Sequence, residues 1–472
     1  MTGALAPKLA LARAVGALSR LQGGGATSVP GRVLMRLEPT AIGALGARLS
    51  RGSVLVSATN GKTTTAAIAA GIFEQAGIPL VHNQAGANMA GGIATTLLAA
   101  ARPRGGIAGD LGLFEVDELW LAALVDQLRP RAILLSNLFR DQLDRYGELE
   151  TIAESWDGAL GCTDARLVLN ADDPQIADLG REHAEVVYFG VDDDSLATPG
   201  MAHAADAKHC RRCDAAYVFD AIYLGHLGHY HCESCGRRRP APAITATDVT
   251  LEGVRSARFM LRTPAGDAQV RLGLPGLYNV YNALAAAALA STLGVPLASI
   301  VAGLAATRAA FGRAESVTLS LDGASRGPQA LLAGRRELRI LLVKNPAGAN
   351  EVLRTLALEP GEHDLLAVLN DNIADGRDVS WIWDADFELL ASRIRRVTCS
   401  GTRAAELAVR LKYAGVEEAR IHVQGDLARA LREAADDRPE DDSPLYALPT
   451  YTAMLSLREL LVARGEASSA WA

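Results

Sequence analysis

Short apolar runs rich in β-branched residues alternate with longer stretches of helical periodicity along most of this chain. "GSVLVSA" leads into an alanine-rich helical stretch from about Thr63, and "IPLVHN" follows it. "RAILLSN", "ARLVLN" and "EVVYFG" repeat the theme, each ended by a polar turn. Continuous apolar strands separated by helices predict a parallel sheet covered on both faces, an α/β fold. The rhythm stops over about 205–240, where cysteine, histidine and arginine leave no long apolar face. It resumes beyond Glu315 with "LRILLV", "DLLAVLN", "RRVTCS", "ARIHVQ" and "SPLYALP", read as five strands each followed by helical sequence. In "TRAAELAVRLKYAG", Ala404, Leu407, Ala408 and Leu411 share a face and Gly415 ends the helix. The pattern predicts an N-terminal helical segment over 1–48, a central domain over 49–314 and a smaller doubly wound domain over 315–472. The last boundary falls in the polar, glycine-bearing "FGRAESVTLSLDGASRGPQALLAGRR".

Near the N-terminus, Leu11, Ala14, Val15, Leu18 and Leu21 recur at helical spacing, predicting an amphipathic helix packed on its own domain. Arg13 and Arg20 lie opposite that stripe, which leaves contact with a membrane surface or a partner as the alternative. Lys8, Arg13 and Arg20 interrupt the apolar run expected of a signal peptide. No segment reaches the ~20 apolar residues of a membrane-spanning helix. With 472 residues, 49% of them hydrophobic and 21% charged, the composition is that of a multidomain globular protein. A formal charge of −7 gives no electrostatic reason to expect nucleic-acid binding. The expected location is the cytoplasm, with any membrane contact peripheral.

Six cysteines change the picture for the irregular segment. Cys210, Cys213, Cys232 and Cys235 form CxxC–x18–CxxC, a spacing suited to tetrahedral thiolate coordination of zinc. Four thiolates fill the shell, so the expected zinc is structural. His209 and His231 adjoin two of the cysteines. Cys162 and Cys399 stand alone.

The chemistry concentrates at "SVLVSATNGKTTTAAIAAGIFEQAG" (Ser53 to Gly77). A strand that turns tightly into a helix presents unpaired N–H groups and a positive helix end, both of which favour phosphate. Lys62 can reach β and γ phosphates, the Thr63 hydroxyl can ligate magnesium, and Asn60 and Gly61 allow close approach of the backbone. Val56 stands where the usual pattern has its first glycine. A second candidate site is "LLAVLNDNIADGRDVSWIWDADFE", which sets Asn370, Asp371, Asp375, Arg377, Asp378 and Asp384 just beyond a strand. Ligands gather at such carboxyl ends in doubly wound sheets, although a capped turn with structural salt bridges would read the same way.

"ATNGKTTT" resembles the "GTNGKT" loop of the Mur ligase superfamily, with Ala58 in place of the first glycine. "VHNQAGANM", "FEVDE", "SNLFRDQLDRYG", "NADDP", "LYNVYNALAA" and "FGR" follow in the superfamily's order, over about Leu34 to Leu461. The four-cysteine insert, "VKNPAGAN" and "NDNIADGRDVSWIWD" are similar to the MurT branch of that superfamily. The resemblance implies a Mur-ligase-like central P-loop domain with a zinc-ribbon insertion and a Rossmann-like C-terminal domain. It gives Asn60, Gly61, Lys62, Thr63, Thr64, Asn282 and Arg313 to ATP, and Thr63 with Glu115 to magnesium. From the residues alone, Glu115 could be a solvated acid beside Asp117 and Glu118, Asn282 a capping residue, and Arg313 an interdomain ion pair.

The implied reaction is ATP-dependent amidation of the D-glutamate α-carboxylate in the lipid II stem peptide, through an acyl phosphate. Ammonia would come from a GatD-like class I glutaminase subunit in a heterodimer, acting at the inner face of the cell membrane. Asp378 is the acid that the resemblance assigns to completing the partner's glutaminase machinery. The chain itself shows no glutaminase signature: Cys399 ends a strand but has neither the flanking glycines nor a histidine motif, and reads as a core cysteine. Where amino-acid-adding relatives read "DYAHNP", this chain reads "LVKNPAGAN", keeping Asn345 and Pro346 but not the acid and histidine. Gln142 also replaces a common histidine. Both departures favour ammonia over an amino acid as nucleophile. The alternatives are an amino-acid-adding ligase of the Mur or folylpolyglutamate type, or a zinc-ribbon P-loop protein that binds nucleic acid.

Overall fold

Ser53–Ser57 (β1) is buried at every residue and lies in the middle of the first of two large sheets. The computed structural model describes residues 5–21, 27–83, 87–102, 106–141, 149–198, 200, 205–308, 313–320, 335–437 and 443–467. Chain order continues with β2 (Leu80–His82), β3 (Leu111–Glu115), β4 (Ala132–Leu135), β5 (Arg166–Asn170) and β6 (Val186–Val191). Next come β7 (Val218–Leu224), β8 (Leu227–His231), β9 (Ile244–Glu252), β10 (Ser256–Thr263) and β11 (Gly266–Leu272). The first sheet has the order β11-β10-β9-β6-β5-β4-β1-β3-β2. It is parallel from β2 to β9, with β10 and β11 added antiparallel. The chain leaves β1 for the β2 edge, returns through β3, and crosses to β4 on the other side. That reversal opens a crevice at the carboxyl end of β1.

The helix Leu277–Thr292 lies beneath this crevice. Thirteen of its residues are buried, and its alanines make it an interior helix with no polar face. It packs on Lys62–Gln75, the helix that follows β1, and Leu297–Ala306 closes on the same helix. A Cβ on Gly303 would meet the Ile72 Cα at 2.6 Å, so only glycine lets those two backbones approach. Ile72 and Phe73 are fully buried there, each worth about 1.5–3 kcal/mol.

The second sheet comprises β12 (Arg313–Ser320), β13 (Arg335–Leu341), β14 (His363–Val368), β15 (Ile394–Ser400), β16 (Ile421–Val423) and β17 (Leu445–Pro449). Its order is β12-β13-β17-β14-β15-β16, parallel except for β12. β12 falls in the polar stretch that carries no strand signal. It is held because it pairs with β13 and buries Val317 and Leu319. β14 departs from the expected strand–helix alternation. It runs into a loop and 3₁₀ turns at Ser380–Trp383, Phe387–Leu389 and Ala391–Arg393. The polar side chains of that loop bond outward to other segments, as Asp375 does to the Thr452 N–H at 2.7 Å, which competes with helical pairing.

The N-terminal helix Leu5–Leu21 is present, but its buried face is not the expected one. Leu5, Leu9 and Ala12 are buried, whereas Leu11 and Leu18 are exposed. Small residues decide this: Gly16 lies against Pro30, where a Cβ would come within 2.7 Å of the proline ring. Arg13 also faces the protein, donating to the carbonyls of Leu98 and Ala101 at a helix C-terminus. The Leu21 and Arg20 side chains lie outside the described residues.

β7 and β8 form a separate hairpin beside the cysteine cluster. The four Sγ atoms lie within 4.8 Å of one another, with Cys210–Cys235 at 3.6 Å and Cys213–Cys232 at 3.5 Å. Sulfurs of a tetrahedral zinc site, ~2.3 Å from the ion, sit about 3.8 Å apart, so the four cysteines fit zinc. The Ala215 N–H, aimed at the Cys213 sulfur, draws that thiol down to about 6, towards the thiolate a metal needs. Arg239 ties the ribbon to the sheet, donating to buried Asp172 at 2.6 Å, and Tyr281 donates to the same carboxylate at 2.7 Å.

The second sheet's helix Pro346–Ala357 touches the ribbon hairpin through Arg354, which donates to the Tyr223 carbonyl at 3.3 Å and to Glu351 at 3.0 Å. Burial pushes the Glu351 carboxyl up to about 7, against the lowering effect of Arg354. The folded chain therefore holds a proton that the unfolded chain releases near pH 4.5, and stability falls as pH rises from about 4.5 to 7. Glu351→Gln should remove that loss, worth at most about 3 kcal/mol of stability, and so raise the melting temperature at pH 8 but not at pH 4.5. Thermal melts at the two pH values check this. Purified protein should carry one zinc per chain, and Cys210→Ser should lose it and expose 205–240 to protease. Metal analysis showing undiminished stoichiometric zinc in that variant would contradict the assignment.

Candidate functional site

A cavity of about 470 Å³ lies between the carboxyl edges of the two sheets. The first sheet contributes Thr59–Thr64 after β1, Glu115 and Asp117 after β3, and Asn137, Phe139 and Asp141 after β4. The second contributes Leu342 and Lys344 after β13, Ala374 after β14 and Tyr451 after β17. Each group sits where a parallel strand ends, because that is where the backbone is released from its ladder and can turn towards a ligand.

The turn after β1 is set by Gly61, whose φ is +85°. A Cβ there would stand 2.1 Å from the Asn282 Oδ1, so glycine is required both for the backbone and for the neighbour. Asn282, buried within its helix, accepts from the Thr65 hydroxyl at 3.1 Å and donates to Asn279 at 3.1 Å. It therefore fixes the phosphate-loop helix rather than capping a turn. Asn137 clasps the loop from the other side: its Oδ1 accepts from the Asn60 N–H at 2.8 Å and its Nδ2 donates to the Asn60 carbonyl at 2.9 Å.

Thr63 and Glu115 meet, with the Thr63 hydroxyl donating to the Glu115 carboxylate at 3.0 Å. Two oxygens that converge beside a phosphate loop suit a hard divalent cation. Asn83, from the loop after β2, holds the end of β3 in place by exchanging hydrogen bonds with the Glu115 backbone at 2.9 and 2.8 Å. Lys62 donates to Glu118 at 2.8 Å. Burial pulls the Lys62 pKa down, but the carboxylates of Glu118, Glu115 and Asp117 outweigh it and the net shift is upward. Lys62 stays an ammonium.

Two residues of the second sheet reach across onto the phosphate loop. Asn345 caps its helix by accepting from the Gly348 N–H at 2.9 Å and pairs amide to amide with Asn60, at 3.0 and 3.3 Å. Lys344 donates to Asp141 at 2.5 Å and to the Thr59 carbonyl at 3.1 Å. Sequence reasoning singled out Asn345 but missed Lys344, Asp141, Asn137 and Glu118 as parts of the site. Their proximity to the recognised motifs was the available signal.

Asp378 is exposed on the rim and does not line the cavity; it accepts from the Ser380 N–H at 2.8 Å, which holds its carboxyl below the usual range. Asp375 is buried instead, and burial raises its pKa. Arg313 opens β12, but its side chain lies outside the described residues, as does Gln142. Cys399 is fully buried, and burial pushes its thiol up to about 12, so it supplies no thiolate near neutral pH. No helix among the described residues is long and apolar enough to cross a membrane.

The profile of the Mur ligase middle domain matches residues 56–290, and that of the MurT ligase C-terminal region matches 342–454. The MurT subunit of lipid II isoglutaminyl synthase (glutamine-hydrolyzing) from Streptococcus pneumoniae is 33% identical over 449 residues, covering 95% of this chain and 94% of its own. The Staphylococcus aureus protein of the same name is 32% identical over 462 residues, covering 96% of both. Among solved structures, a pseudomurein peptide ligase type C from Methanothermus fervidus superposes with TM-score 0.66 at 22% identity, covering 89% of this chain and 80% of that one. MurF ligase from Thermotoga maritima, in complex with ADP, gives 0.61 at 16% identity over 93% and 84%. The backbone likeness establishes the fold, and the full-length sequence likeness goes further: this chain belongs to the MurT family of Mur ligases.

Proposed function

We propose that this chain is the ATP-using subunit of a lipid II isoglutaminyl synthase, which amidates the D-glutamate α-carboxylate with ammonia from a GatD-like glutaminase subunit. The observation that carries the reading is the cavity itself. It joins a phosphate loop, a converged Thr63–Glu115 oxygen pair and a second sheet's loops in one cleft, while the buried Cys399 offers no glutaminase nucleophile.

A carboxylate is a poor electrophile until it carries a leaving group. The substrate carboxylate oxygen attacks the γ-phosphorus of ATP, the bond to ADP breaks, and an acyl phosphate forms. Ammonia then adds to the acyl carbon, phosphate departs, and the nitrogen loses a proton to leave the amide. Asn60, Gly61 and the first N–H groups of the Lys62–Gln75 helix cradle phosphate oxygens, aided by the positive helix end. Thr64 lines the same pocket. Lys62, drawn from Glu118 by the denser phosphate charge, neutralises the transferred group. Thr63 and Glu115 would hold magnesium, which supplies further charge neutralisation when bound. The Asn60–Asn345 pair keeps the second sheet over the loop, so the acyl phosphate is shielded from water.

Asp378 is exposed and does not line the cavity, which supports a role towards the partner subunit at the inner face of the membrane. Zinc in the ribbon takes no part in bond making. The decisive assay combines the chain, its glutaminase partner, lipid II, ATP and glutamine, and reads the mass of the stem peptide. Replacement of one carboxyl hydroxyl by an amino group, seen in that mass, is expected; ADP release with an unmodified peptide would reject the substrate. Glu115→Gln should lower acyl-phosphate formation, trapped with hydroxylamine, by about 100-fold. Asp378→Asn should abolish glutamine-driven amidation while amidation driven by added ammonium salt and ATP binding persist. Normal glutamine-driven turnover in that variant would remove Asp378 from the mechanism.

A further inference from the structure

The cleft holds two lysines from opposite sheets. Lys62 lies 3.5 Å from the Thr59 carbonyl and Lys344 lies 3.1 Å from the same oxygen. Sharing one acceptor, the two ammonium groups are neighbours, well within the span of a triphosphate. Like charges so close repel in a partly desolvated cleft unless each is countered. Each is countered by one carboxylate, Glu118 for Lys62 and Asp141 for Lys344. The arrangement is that of an anion site whose cations are held by internal substitutes for the anion.

We infer that Lys344 is a terminal-phosphate contact delivered by the second sheet, with Asp141 as the group it leaves when the triphosphate arrives. The inference rests on the nucleotide reading of the cavity given above. Three features support it. The Asn345 side chain, bonded to Asn60 and to its own helix, anchors the backbone beside Lys344 on the phosphate loop, so only the flexible four-carbon stem has to swing. Asp141 meets Lys344 through Oδ2 alone, and its Oδ1 is buried with no hydrogen-bond partner among the described residues. A phosphate group, with several oxygens and a higher charge, outcompetes that single carboxylate oxygen for the ammonium. Finally, Lys344 lines the cavity, as do Lys62 and Thr63.

A plain salt bridge between the two sheets would make the same contacts, and the two roles differ in what they predict for binding. The test measures binding of the β,γ-imido analogue of ATP and of ADP, each with magnesium, to the full chain. Neither lipid nor glutaminase is needed, so failure of the amidation reading would leave this result standing on its own. Lys344→Met should weaken the triphosphate analogue about tenfold and change ADP less than about twofold. Lys344→Arg should restore most of the difference. Asp141→Asn, by loosening the competitor, should tighten the triphosphate analogue about threefold with ADP unchanged. A Lys344→Met protein that binds both nucleotides with the wild-type ratio overturns the inference. So does an Asp141→Asn protein that weakens both equally, which is the signature of a structural bridge. Should Lys344→Met melt early, Lys344→Arg and Asp141→Asn decide the matter through the same ratio.

Discussion

The missing side chain at Gly61 is the constraint on which this site depends. Its left-handed backbone ends β1 and starts the phosphate-loop helix, and the space a Cβ would fill is taken by Asn282. Asn282 in turn bonds Thr65, so the interior helix beneath the sheet is registered against the loop above it. Asn137 and Asn345 clasp Asn60 from two further directions. A loop held at three points presents its N–H groups to phosphate without rearranging when the ligand arrives, and such preorganisation is what makes fixed dipoles effective.

Charge in the cleft follows the same logic. Four carboxylates, Glu115, Asp117, Glu118 and Asp141, stand around two lysines, so each ammonium is paired and an excess of negative charge remains on the Glu115 side, where a divalent cation would balance it. In the proposed reaction an anionic substrate would exchange partners with these side chains instead of entering a bare cationic pocket. Lys62 and Lys344 come from different sheets and meet at the Thr59 carbonyl, so the two sheets bring their cations to one point of the cleft.

The ribbon and the rim contribute at a distance from the phosphates. The β7–β8 hairpin sends Leu224 and Leu227 into the cavity wall, and its root is tied to the sheet through Arg239 and Asp172. A small cluster of Tyr217 and Tyr230 with Cys210 and Cys232 packs that segment, and the four cysteines beside it would hold it further if they carry zinc. On the other side, the loop after β14 turns Ala374 inward and Asp378 outward.

The sequence by itself determined the alternation of strands and helices, the phosphate turn and the cysteine clip. Each is written in local pattern: burial on both faces of a strand, glycine at a forced dihedral, thiols at metal spacing. It also brought out Thr63, Glu115 and Asn282 through motif order, and the structure places all three against the phosphate-loop helix. Tertiary structure alone decided which side of the N-terminal helix is buried, because Gly16 and Ala12 permit a closer approach than the leucine stripe would. It alone decided that β12 is a strand, since its partner β13 supplies the hydrogen bonds its polar sequence does not advertise. It alone joined Lys344 to Asp141, 203 positions apart, and gave each a neighbour of opposite charge. Periodicity and spacing encode what a chain does with its near neighbours, whereas contacts between distant loops exist only once two sheets have folded and met edge to edge.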